Sequence, residues 1–232
     1  MIDIISKVID FIKYIITIFV MIVSLIPSLF MPAEGSIKNI EETRVEYINQ
    51  IGPEIIRCIN ERDKMSLNNL FCDKLKNTEY LNRQIDFFFD YIDKYDESGF
   101  NNGTWIDNGG HGSNNRGRKV VDRNGWKYNK EIIIKNKEYI LYCSAYITLI
   151  GHKEYEGITH ISIRDDRDIS NLDTEKFNIA FNDRNSIKYM GIGVFDFNYD
   201  TLRYENVAPK EIYENEEYRF SFDELEKGCS DW

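Results

Sequence analysis

EIIIKNKEYILYCSAYITLI, residues 131–150, reads as two strands joined at the KNK turn, because β-branched and aromatic residues dominate it and its period is two. In the second arm Tyr139, Leu141, Cys143, Ala145, Ile147 and Leu149 fall on one face. Ile140, Tyr142, Ser144, Tyr146, Thr148 and Ile150 fall on the other. GITHISI, residues 157–163, continues the pattern with Thr159, Ile161 and Ile163 opposite Ile158, His160 and Ser162. YMGIGVFDF, residues 189–197, is a further strand. Upstream, Asn124-Gly125 is a tight-turn dipeptide between two segments able to pair as a hairpin.

Before the strands the period is helical. Ile48, Ile51, Ile55, Ile56 and Ile59 form one apolar stripe, which places Pro53 in a first turn, where its missing N–H costs nothing. Ser66 suits the N-cap of a short helix carrying Leu67, Leu70 and Phe71. Leu81, Ile85, Phe88, Phe89 and Ile92 share one face of a third helix, with Arg83, Asp86, Asp90 and Asp93 on its other side. Helices first and a mainly antiparallel sheet afterwards predict an α+β domain with the helices on one sheet face. We place it at residues 34–197, after a membrane anchor or signal segment at 1–33. An acidic, aromatic extension at 198–232 reads as an appended strand or helix.

The anchor reading rests on YIITIFVMIVSLIPSLFM, residues 14–31, a run without charge and close to the length that spans a bilayer. Met31 occupies a position where a cleavage site ending at Ala33 would need a small side chain, so an uncleaved N-terminal membrane helix is favoured over a cleaved signal. The expected location is the cell membrane, with the soluble part on the extracytoplasmic side. Lys and Arg total 29 against 39 Asp and Glu, a formal charge of -10. That excludes nucleic acid as a partner, since phosphate neutralisation needs a basic face. Cys58, Cys72, Cys143 and Cys229 show no CxxC spacing and no zinc pattern, and read as buried thiols rather than a disulfide framework.

EIIRCINERDKMSLNNLFCDKL, residues 54–75, followed by LNRQIDFFFDYI at 81–92, resembles the opening of a group of bacterial cell-envelope proteins, many of them lipoproteins, known as a domain of unknown function. EGITHISI at 156–163 is similar to a later strand of that group. The resemblance spans roughly residues 50–197 and implies the cystatin-like cone of nuclear transport factor 2, three helices against a bent antiparallel sheet. It brings no chemistry with it. The chain departs from the group in lacking a lipobox cysteine and in its C-terminal extension.

GFNNGTWIDNGGHGSNNRGR, residues 99–118, holds six glycines around Trp105 and His111. Neither phosphate-loop spacing occurs in it, so it reads as a flexible loop between helix and sheet, placed to act as a lid at the mouth of a cone. RDDRD at 164–168 lacks the EF-hand pattern and reads as a solvated turn. His152 belongs to a turn beside Gly151. His160, mid-strand on the concave face, reads first as a hydrogen-bonded or solvent-facing strand histidine, and is the one candidate acid or base if a carboxylate lies near. Trp105, His111, Tyr142 and His160 are the candidate ligand-binding residues; no metal site and no cofactor are expected. The favoured function is a membrane-tethered, non-catalytic module for a protein partner, a second copy as homodimer, or a small ligand. The alternative is a hydrolase, isomerase or dehydratase with His160 working inside the cone.

Overall fold

Helix α1 (Ile37–Glu61) buries Ile48, Ile55, Cys58 and Ile59, the stripe its spacing demands. A computed structural model describes residues 37–95, 99–115, 118–134, 137–165, 189–219 and 225. The apolar run at 14–31, Cys229 and residues 166–168 lie outside them. Among the described residues no helix is long and apolar enough to cross a membrane.

Pro53 sits inside α1 rather than in a first turn. Gly52 makes this tolerable, because the clash a proline imposes on the residue before it involves a Cβ that glycine lacks. Gly52 serves a second contact: a Cβ there would overlap the Trp105 indole. Gly52→Ala should therefore cost about 1–3 kcal/mol in urea denaturation, and a Trp105→Leu background should remove most of that cost. Equal costs in both backgrounds would sink the explanation.

The cap of α2 (Lys64–Asn69) is Asp63, not Ser66; the Asp63 carboxylate accepts from the Ser66 backbone N–H at 3.0 Å. That bond, followed by Arg57, pulls the Asp63 pKa down to about 2. Helix α3 (Glu79–Tyr95) turns Leu81, Ile85, Phe88, Phe89 and Ile92 inward as its period requires, and leaves Arg83, Asp86, Asp90 and Asp93 exposed.

The curved sheet follows chain order: β1 (Trp105–Asn115), β2 (Arg118–Ile134), β3 (Lys137–Leu149), β4 (Gly157–Asp165), β5 (Gly191–Asn198) and β6 (Arg203–Asn206). Every neighbouring pair is antiparallel except β4 and β5, which are parallel. Ile134 pairs with Lys137, so the expected KNK hairpin is present. Two turn assignments are corrected. The glycine-rich 99–118 stretch is mostly not a loop: β1 occupies it as an edge strand, whose ladder to β2 is made by backbone and needs no apolar side chains. A bulge between Asp107 and Gly110, with Gly109 at φ +94°, absorbs the irregular sequence. Among the described residues of this stretch there is no lid loop. Asn124-Gly125 lies inside β2, paired to Gly110 on one side and to Ala145 and Ser144 on the other. Two long partner strands override a two-residue turn preference.

Bulges also reset the faces. Ser144 pairs with His160 but Ala145 with Ile158, so Thr159 is the extra residue and Ile158 joins Ile161 and Ile163 against the helices. Asp122 pairs with Thr148 and Arg123 with Tyr146, and beyond that bulge Leu149 leaves the Cys143 face to pack with Tyr146 and Val121.

The chain beyond Asn198 supplies both a strand and a short helix. Strand β6 pairs with β5, a short helix α4 (Lys210–Tyr213) follows, and Tyr218 stacks on Tyr80 of α3 with ring centroids 4.4 Å apart. Leu225 packs against Val121, Tyr146 and Leu149.

Cys58, Cys72 and Cys143 are free and buried. Burial raises all three thiol pKa values, to about 12 for Cys58 and about 11 for Cys72. At pH 8 a maleimide should leave these three unlabelled in the native protein and modify them after unfolding, as read by peptide mass spectrometry.

Candidate functional site

Strand β4 continues its alternation past the expected end at Ile163, and this builds the polar centre of the molecule. His160, Ser162 and Arg164 point to the sheet face away from α1 to α3, beside Tyr142 of β3, which pairs with Ser162. The Arg164 Nε donates to Ser162 Oγ at 2.9 Å, and its guanidinium carbon stands 4.7 Å over the Tyr142 ring. The His160 ring lies 5.7 Å from that of Phe195, which in turn meets Tyr213 edge-on at 5.5 Å. All of these side chains are buried; His160 and Arg164 are each only 7% exposed.

Burial and then the neighbouring Arg164 charge push the His160 pKa down to about 3, with the Tyr189 backbone pulling weakly the other way. Neither ring nitrogen makes a hydrogen bond of normal geometry. His160 is therefore neutral at physiological pH. A base whose conjugate acid has so low a pKa accepts protons poorly. The arrangement is suited to holding a fixed cation under an aromatic surface, not to moving protons.

Of the four candidate residues, the structure unites Tyr142 and His160 through Ser162 and Arg164. The expected position of His160, on the concave face between helices and sheet, is corrected: it lies on the opposite face, because Ile161 and Ile163 claim the helix side. Trp105 is elsewhere, on β1, wedged between Gly52 of α1 and Tyr128, whose ring is 5.3 Å away. His111 pairs with Arg123 in the β1–β2 ladder, and its side chain is outside the described residues. His152 is half-exposed, with Nδ1 3.6 Å from the Glu154 carboxylate.

Arg164 was missed because RDDRD reads as a charge-balanced turn. Arg164 and Asp165 are instead buried residues of β4. Carrying the period of GITHISI two residues further would have found the arginine. Asp165 lies on the helix side, 3.2 Å from Lys137 Nζ, near Asp196, which accepts a hydrogen bond from the Tyr139 hydroxyl. Among the described residues no three His, Cys, Asp or Glu side chains gather as a metal set.

A family model described as a domain of unknown function, DUF5104, matches residues 54–184, more than half of the chain. The chain belongs to this family. The family region runs from the second half of α1 through β4 and so contains Tyr142, His160, Ser162 and Arg164, while β5 and β6 follow it. Comparison with curated proteins returns no match.

Proposed function

We propose that this member of DUF5104 is a membrane-tethered, extracytoplasmic module of the cystatin-like cone type, which binds a protein or small ligand without catalysing a reaction. The observation that carries the reading is the filled space between helices and sheet. Leu81, Ile85, Phe88 and Phe89 of α3 meet Leu141, Cys143, Ile161, Ile163 and Val194, none more than 1% exposed. In a cone-fold enzyme that space would receive the substrate. The histidine suited by sequence to acid–base work is neutral and faces away from it. The tether is supported by the uncharged run at 14–31, and the envelope setting by the resemblance to bacterial lipoproteins. A formal charge of -10 favours a basic protein partner, attracted through long-range steering.

Native mass spectrometry of the full chain, released gently from membranes of its own host, tests this. A retained protein companion, a second copy or an unaltered small ligand is the expected result. Turnover of a retained compound that disappears in His160→Gln would overturn it in favour of a hydrolase, isomerase or dehydratase.

A further inference from the structure

Outside the His160 face, an open pocket of about 310 Å³ lies between α2 and α3, lined by Lys64, Met65, Asn68, Asn77, Asn82, Ile85 and Asp86. That volume is at the lower end of small-molecule sites, the size of a single sugar or amino acid. Its wall is built from three carboxamides. Asn68 is buried, with both ends of its carboxamide engaged: its Nδ2 donates to Asn82 Oδ1 at 2.8 Å, and its Oδ1 accepts from the Asn77 backbone N–H at 2.8 Å. This ladder locks the other two asparagines in place. It uses the oxygen of Asn82 and the backbone of Asn77, leaving the Asn82 Nδ2 and the whole Asn77 side chain to the pocket. Asn77 is held at φ +63°, a left-handed conformation that asparagine tolerates better than most residues.

The remaining wall sets the ligand class. Lys64 and Asp86 pair at 2.6 Å on the rim, so the two charges largely cancel and a net ionic ligand finds no unmatched counter-charge. Ile85 offers an apolar floor, and Met65, 76% exposed, a flexible apolar flank. Carboxamides present donor and acceptor side by side, and the Asp86 oxygen that Lys64 does not hold accepts a hydroxyl proton, which together match neighbouring hydroxyls. The aliphatic groups match the C–H face of a pyranose. We infer that this pocket binds a neutral polyhydroxylated ligand, a monosaccharide unit, with Asn77, Asn82 and Asp86 as its polar contacts. The inference rests on the non-catalytic binding reading and names a ligand for it.

The test is saturation-transfer NMR on the full chain, kept in a detergent without a sugar headgroup, with glucose, galactose, mannose and N-acetylglucosamine as probes. Transfer to at least one probe is expected, with binding about tenfold weaker in Asn77→Gly, which keeps the left-handed backbone while removing the carboxamide. Asp86→Ala, on the exposed face of α3, carries the same test should Asn77→Gly fail to fold. Transfer to none of the four probes, or equal transfer in the folded variants, overturns the inference. A protein companion found by native mass spectrometry alongside that negative result would leave the broader binding reading standing.

Discussion

Gly191→Ala should destabilise the protein by about 4 kcal/mol, a large share of the roughly 5–15 kcal/mol that holds a domain folded. Gly191 opens β5 at φ +117°, a backbone that an L side chain adopts only with strain. A Cβ there would also overlap the Gln84 carboxamide. Gln84 cannot move cheaply. It is 2% exposed, and its Oε1 accepts from the Ile192 backbone N–H at 3.0 Å, so displacing it leaves a buried donor without its acceptor. That contact pins α3 to the start of β5. Chemical denaturation of Gly191→Ala, Gln84→Ala and the double variant separates the causes. In the double variant the overlap is gone, leaving backbone strain and the unpaired Ile192 N–H, so its loss should be smaller than the sum of the two single losses. A single-variant loss below about 1 kcal/mol would refute the account.

The second large effect is acid sensitivity. Unfolded, His160 titrates near its ordinary 6.5; folded, it holds out to about 3. Between those values the unfolded chain binds a proton that the folded chain refuses. Stability is therefore fully present above pH 6.5 and falls as pH drops toward 3, at up to about 1.4 kcal/mol per unit. From pH 7 to pH 4 the loss due to this one residue is about 3 kcal/mol. The depressed Asp63 acts in the same direction but mainly below pH 4, since its unfolded value is that of an ordinary aspartate. Denaturant titrations across this range should show the steep limb in the wild type and a flatter one in His160→Met. The methionine removes two buried nitrogens that lack hydrogen bonds, so it should cost little at pH 8. Parallel limbs in the two proteins would mean that His160 is protonated in the folded state.

How far the chain could be read in advance depended on how local each signal was. The inward row of α3 from Leu81 to Ile92 and the hairpin around KNK follow from period alone, and both are present. Pro53 was misplaced because its tolerance depends on a neighbouring glycine, and β1 because a partnered edge strand needs only backbone. The reassignments of Ile158 and Leu149 come from bulges, whose positions are decided by neighbouring strands rather than by the strand that carries the residue. The site was half legible for the same reason. Tyr142 and His160 were chosen separately and meet only through cross-strand pairing, while Arg164 was discounted by its charged neighbours.

The match between sheet order and chain order bears on synthesis. Each strand from β2 onward joins the free edge left by the one made before it, so no strand must be inserted between two already paired. A chain emerging from the ribosome could add them in turn, each closing against a surface already present. Helices α1 to α3 emerge before any of it, with the aromatic row of α3 uncovered until β2 and then β5 arrive. Until then that row is a natural hold for a chaperone.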